Sequence, residues 1–240
     1  FTHRVPGYKA VVVSLKAPGI APGDATDQQM DHVAFLADKY SYGEVVVTHD
    51  QNLILPNVKE ANLFTLWEKL SKKNLATANI GLLTDMICCP GLDFCSLANA
   101  GSIPIAKQIN EKFDDIDYIY DLGDLSLNIS GCMNACGHHH VGNIGILGVD
   151  KKGAEFYQIQ LGGNAGSDTS LGGVLGPSFG ESEVPEVVEK ILTIYIEQRK
   201  GDELFLDTYR RIGVTPFKES VYPKDKKISN MHKDQGLKHA

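Results

Sequence analysis

The stretch Leu125–Gly137 reads LSLNISGCMNACG. Leu125, Leu127 and Ile129 alternate with polar neighbours, the period of a strand with one buried face. That strand runs directly into a loop carrying Cys132 and Cys136. Upstream, the apolar run Ile80–Met86 leads in the same way into a second loop, Cys89-Pro-Gly-Leu-Asp-Phe-Cys95. Two thiol pairs, each following a strand-like run, imply an α/β domain whose rigid sheet edge presents four sulfurs to one metal group.

Four thiolates suit either a tetrahedral zinc ion or a cubane iron–sulfur cluster. Zinc ribbons favour Cys-x2–4-Cys pairs, in which short loops close around one small ion. Here the pairs are Cys-x5-Cys and Cys-x3-Cys, wide and unequal, a spacing that a group several ångströms across accommodates better. Ordinary buried cysteine is the third reading. Gly91 and Gly137 beside the proposed ligands allow close backbone approach and N–H donation to sulfur. Cys88, next to Cys89, reads as a bystander packed behind the loop.

Around this core the 240-residue chain is ordinary for a folded protein, 42% hydrophobic and 22% charged. Its 23 basic and 30 acidic residues give a net charge of −7, which argues against nucleic-acid binding. No apolar run reaches the ~18 residues of a membrane span, and no signal-peptide pattern opens the chain. Five clustered cysteines in a chain of this size suggest a reducing compartment, the cytoplasm by default. The chain begins at Phe1 rather than Met, which reads as the interior of something longer.

Residues 1–75 give the order β-α-β-β-α, an antiparallel sheet covered on one face by helices. The strands are a β-branched run near Lys9–Leu15, then Glu44–Thr48 and Asn52–Leu55, the last ended by Pro56. Thr26 and Gln29 form a capping-box signature ahead of the stripe Met30, Val33, Ala34, Ala37. A second stripe is Leu63, Leu66, Trp67, Leu70, and both stripes read as core. From residue 76 to 220 the expected elements are a helix on Ile105, Ala106, Ile109 and Phe113 capped by Ser102, and a hairpin of Ile144–Val149 with Glu155–Leu161. A long helix on Val184, Val187, Val188, Ile191 and Tyr195 follows, then a shorter one near Leu204–Ile212. Residues 221–240 are polar and aperiodic, a loose tail.

The runs CPGLDFCSLA and ISGCMNACGHHHVGNIGILG resemble the paired cluster motifs of sirohaem-containing nitrite/sulfite reductases. THDQNLIL, residues 48–55, is similar to that family's strand-turn-strand lining the sirohaem cavity. The resemblance implies an α+β architecture, with a ferredoxin-like half-domain at 1–75 and a cluster- and sirohaem-binding domain at 76–220. It implies a 4Fe-4S cluster on Cys89, Cys95, Cys132 and Cys136. Cys136 would also bridge to the sirohaem iron, and Gln51, Asn52 and Asn134 would contact the macrocycle or its carboxylates. The implied reaction is six-electron reduction of sulfite to sulfide or nitrite to ammonia, with electrons from ferredoxin or a flavoprotein.

Sirohaem carboxylates and an oxyanion substrate both demand cations. Yet the sequence holds no Lys or Arg between Lys73 and Lys107, or between Lys112 and Lys151, the two intervals containing every proposed ligand. In the family the chain resembles, a preceding half supplies them, so the resemblance implies that this chain is the C-terminal half of such an enzyme. An electron-transfer module without a substrate site and a zinc-stabilised binding domain are the competing functions. His138–His140 reads as a solvated turn, His49 as part of a tight turn or a further macrocycle contact, and Gly162-Gly163 as a strand-end bulge.

Overall fold

Val11–Val13 favour extended backbone because branching at Cβ restricts χ1, and they lie in the first strand of the computed structural model, which describes residues 1–223. The first unit comprises β1 (Tyr8–Val13), α1 (Asp27–Tyr40), β2 (Val46–Val47), β3 (Leu53–Lys59) and α2 (Leu63–Ser71). Its antiparallel sheet has the order β1-β3-β2. The expected capping box forms: the Thr26 hydroxyl accepts the Gln29 N–H at 3.2 Å and the Gln29 carboxamide accepts the Thr26 N–H at 2.9 Å. Val33, Leu36 and Ala37 of α1 and Leu66 and Leu70 of α2 bury against Val13, Leu53, Leu55 and Val58.

Expectations at four residues of this unit need correction. Met30 is 51% exposed, Ala34 is exposed, and Trp67 is 53% exposed. The buried face of α1 is Val33, Leu36, Ala37, turned by about 60° from the expected stripe at 100° per residue. Both stripes have helical spacing, and only the sheet underneath selects between them. Pro56 does not end β3, which continues to Lys59. The register with β1 shifts between Lys9 and Val11, so Pro56 occupies the bulge, where a missing N–H costs no ladder bond.

The second unit is built on a sheet of order β4-β5-β6-β7-β8: β4 (Ile87–Cys88), β5 (Leu127–Ser130), β6 (Ile144–Lys151), β7 (Ala154–Leu161) and β8 (Gly173–Val174). β4, β5 and β6 are parallel neighbours, and β7 and β8 run antiparallel. The hairpin of β6 and β7 turns at Lys152-Gly153, both with positive φ, as a two-residue turn matched to strand twist requires. The helices are α3 (Ile103–Lys112), α4 (Ile116–Leu122), α5 (Val184–Gln198), α6 (Phe205–Ile212) and α7 (Thr215–Val221). Ile105 and Ile109 of α3 and Val188, Ile191 and Leu192 of α5 join Ile129, Ile146 and Ile159 in one core.

The strand expected over Ile80–Met86 is a series of turns, and only Ile87 and Cys88 pair with β5. Two short helices, α4 and α7, and the edge strand β8 are additions to the sequence reading. Order persists past residue 220: Val221 is buried and Tyr222 stacks on Phe179 with ring centroids 5.2 Å apart. The remainder of the expected tail, 224–240, lies outside the described residues.

Candidate metal centre

Adjacent parallel strands deliver their C-terminal ends to the same edge of a sheet. β4 pairs with β5 through Ile87↔Asn128 and Cys88↔Ile129, so Cys89 and the Gly131-Cys132 pair leave the sheet side by side. The Cys89 N–H donates to the Ile129 carbonyl at 3.1 Å, and the Gly131 N–H donates to Cys89 Sγ at 3.0 Å. The Asn99 and Ala100 N–H groups both donate to the Gly131 carbonyl, at 2.8 and 3.0 Å, closing the first cysteine loop onto the second. Within the loops, the Cys95 N–H reaches the Gly91 carbonyl at 2.9 Å and the Ala135 N–H reaches the Cys132 carbonyl at 3.2 Å.

Glycine makes this stitching sterically feasible. A Cβ on Gly91 would stand 2.5 Å from the Ser102 backbone nitrogen, one on Gly131 2.6 Å from the Ala100 oxygen, and one on Gly137 1.9 Å from the Ile129 oxygen. Gly91 also has φ +59°, in the left-handed region. Ala135 and His138 adopt left-handed backbone without glycine's licence. Such strain persists where surrounding structure over-determines it.

Cys89 and Cys132 are buried, Cys95 is half-buried and Cys136 is exposed, and all five cysteines are free thiols. Among the described residues no three His, Cys, Asp or Glu side chains gather as ligands of a single ion. Around one tetrahedral zinc, four sulfurs would crowd to roughly 3.8 Å from one another, given Zn–S bonds of about 2.3 Å. Two thiols shielded by backbone, one already accepting an N–H, and two reaching outward suit a larger cluster mounted on the sheet edge.

Several expected roles move. The Ser102 hydroxyl makes no cap bond to α3 and instead lies 3.4 Å from Cys89 Sγ. Asn134 is exposed on the Cys132–Cys136 loop. Gln51 Nε2 donates to the Cys88 carbonyl at 2.8 Å and Gln51 Oε1 accepts the Cys88 N–H at 2.8 Å, which leaves one N–H and one lone pair of its carboxamide uncommitted by this pair of bonds. Asn52 is 2% exposed, its Oδ1 accepting from the Leu15 N–H and its Nδ2 donating to Asp85. His49 stays exposed on the turn between β2 and β3. Cys88 is buried, donates from Sγ to the Cys89 carbonyl, and burial pushes its thiol far above the ordinary range.

His138–His140 is not a wholly solvated turn. His139 is 5% exposed and its Nδ1 has no hydrogen-bond partner among the described residues. Burial, with the neighbouring His140 adding to it, holds its pKa below the ordinary 6.5. The sign follows: below about 6.5 the unfolded imidazole takes up a proton that the folded one resists, so the His139 contribution to stability falls as pH falls. Urea unfolding at pH 7 and pH 5 is expected to show a shallower loss for His139→Leu than for the wild type. An equal loss in both would rule this out.

Two polar groups at the junction of the units were not singled out by sequence reasoning. Lys16 is fully buried and its Nζ pairs with Asp85 Oδ1 at 2.7 Å and with the Asp50 carbonyl. Asp85 also accepts from the Gly81 N–H and from Asn52. Lys16 is a cation that the fold brings towards Cys88 across the sequence gap, but its ammonium is sealed against Asp85. A lone charge inside each of two apolar runs, VVVSLK and LLTDMI, was the available signal.

The cysteines at the ends of the paired strands β4 and β5, beside a β-α-β-β-α unit, make a candidate iron–sulfur site. Residues 82–228 match the family model "Nitrite and sulphite reductase 4Fe-4S domain" and residues 6–73 match "Nitrite/Sulfite reductase ferredoxin-like half domain". The chain belongs to this nitrite and sulphite reductase family. Among curated relatives, the chloroplastic ferredoxin–nitrite reductase of Spinacia oleracea is 28% identical over 72% of this chain and 30% of that enzyme. The assimilatory-type sulfite reductase of Nitratidesulfovibrio vulgaris is 24% identical over 83% of this chain and 88% of that protein. The chain thus spans about 30% of the nitrite reductases it matches, but most of the smaller sulfite reductase. The Mycobacterium tuberculosis NirA protein structure superposes with a TM-score of 0.71 at 23% identity, covering 87% of this chain and 39% of that one. A dissimilatory sulfite reductase I superposes at 0.74 and 14%, covering 96% and 73%. No helix among the described residues is long and apolar enough to cross a membrane.

Proposed function

We propose that this chain is the cluster-bearing part of a sirohaem-dependent reductase of sulfite or nitrite, with Cys89, Cys95, Cys132 and Cys136 holding a 4Fe-4S cluster. The observation that carries the reading is the N–H···S bond from Gly131 to Cys89, which joins the two cysteine loops at the ends of paired parallel strands. When bound, the cluster and sirohaem would supply single electrons to a six-electron reduction. The chain's own residues do the rest of the work assigned here. Gly91, Gly131 and Gly137 bring the backbone close, Gly131 donates to Cys89 Sγ with the Ser102 hydroxyl 3.4 Å from the same sulfur, and exposed Cys136 is the thiol available to a second metal. Leu92, Phe94, Leu97 and Met133, all on the cysteine loops and all exposed, offer apolar surface for a tetrapyrrole.

Neither loop carries a cation, so anion-binding Lys and Arg are assigned to a preceding half of the same enzyme, and a ferredoxin or flavoprotein in the cytoplasm is the electron donor. The match to the short Nitratidesulfovibrio protein over most of its length favours a second reading, in which a chain of this size works without that half. Protein purified without oxygen is expected to contain iron and acid-labile sulfide in the ratio of a 4Fe-4S cluster. Cys136→Ser is expected to lose the coupling between haem and cluster seen in the wild-type spectrum. An unchanged haem spectrum and activity would remove the bridging role. Turnover of sulfite or nitrite by the isolated chain at enzyme-like rates would decide for the second reading.

A further inference from the structure

We propose that Gln51 is a positioning residue for the metal group: by gripping both polar groups of the Cys88 peptide unit's residue, it fixes where Cys89 presents its sulfur. Gln51 lies in the first unit, on the turn between β2 and β3, and Cys88 lies in the second, on β4. Its carboxamide donates through Nε2 to the Cys88 carbonyl at 2.8 Å and accepts the Cys88 N–H through Oε1 at 2.8 Å. Such a two-point grip on one residue's backbone substitutes for a neighbouring strand. β4 has only two residues, pairs on one side with β5, and is the outermost strand of its sheet. Gln51 therefore supplies at the open edge the hydrogen bonds that a further strand would otherwise make.

The side chain is aimed by its backbone. Gln51 has φ +58°, a left-handed conformation uncommon for a non-glycine residue outside constrained sites. Its stem passes over Gly23, where a Cβ would stand 3.0 Å from Gln51 Cβ. Asn52, the next residue, is anchored to Leu15 and Asp85, so the turn is held from both units. Across Cys89 from this grip, Ser102 and Gly131 contact the sulfur. The ligand is thus braced on the half-domain side through Cys88 and on the cluster side directly. Groups that orient a metal ligand in this way alter the affinity and electronics of the site.

The inference rests on the proposed function, and the experiment separates the two. Holoprotein is prepared without oxygen as wild type, Gln51→Ala and Gln51→Glu. Iron and sulfide content, the electron paramagnetic resonance spectrum of the reduced cluster and its midpoint potential are measured. Gln51→Ala is expected to lose cluster absorbance in air on the order of tenfold faster than wild type. Gln51→Glu keeps the acceptor for the Cys88 N–H, loses the donor to its carbonyl and adds a negative charge. It is expected to bind the cluster with a midpoint potential shifted to more negative values and an altered resonance line shape. Wild-type lifetime, potential and line shape in both variants would overturn the positioning role while leaving the cluster assignment standing. Wild-type protein without iron and sulfide would overturn the proposed function and this inference together.

Discussion

Gly137→Ala is expected to destabilise the protein by about 3 kcal/mol or more and to prevent cluster incorporation. An alanine Cβ there would lie 1.9 Å from the Ile129 carbonyl oxygen and 3.1 Å from Ser130 Oγ. The obstructing atom is β5 backbone, which cannot swing aside as a side-chain tip can. Ile129 is also paired on both sides, with Cys88 and with Ile146, so any shift would propagate into two ladders. The chain must instead pull the Cys132–Cys136 loop outward, breaking the Gly137 N–H bond to Ser130 Oγ. Gly153→Ala is the control. That glycine, at φ +83°, has open space around it, so alanine there costs about 1 kcal/mol for its left-handed backbone and leaves the metal site intact. Denaturant midpoints and iron content of the two variants test the contrast, and equal effects at both positions would refute it.

Asp85→Ala carries the second large effect, a loss of about 3–5 kcal/mol, because it leaves a buried ammonium without its counter-charge. Lys16 has no exposed side-chain surface and its partner only 8%. Against a typical total of 5–15 kcal/mol, this is a large fraction of the stability. The reverse change, Lys16→Met, should cost distinctly less. Asp85 would keep hydrogen bonds from the Gly81 N–H at 2.9 Å and from Asn52 Nδ2 at 2.9 Å, and methionine fills much of the lysine volume. Urea titrations of both variants give the comparison. If Lys16→Met proved the more damaging, the ion pair would not be what secures this junction.

What the sequence revealed, and what it withheld, divides along physical lines. Signals that act locally were legible. The Thr26–Gln29 box, the hairpin of Ile144–Val149 with Glu155–Leu161 and the alternation of Leu125, Leu127 and Ile129 depend on neighbours a few residues apart. The cysteine spacing was legible for a related reason, since loop length limits what two thiols can hold. Decisions made by distant partners were not. Whether Met30 or Leu36 faces inward is set by the sheet beneath α1, and both fit a helical stripe. That Ser102 turns to Cys89 instead of capping α3, or that Gln51 grips Cys88, depends on contacts between residues 13 and 37 positions apart. The buried His139 was hidden because its two histidine neighbours made the triplet look uniformly polar.

The parallel pairing of β4 with β5 also has a consequence for biogenesis. Cys89 and Gly131 are 42 positions apart, and α3 and α4 must be laid down between them before the two loops can meet. On a nascent polypeptide the thiols are two independent pairs with no shared receptor for iron. Cys89 and Cys132 come together only once β4 has paired with β5, so assembly of the ligand set is coupled to the folding of this domain.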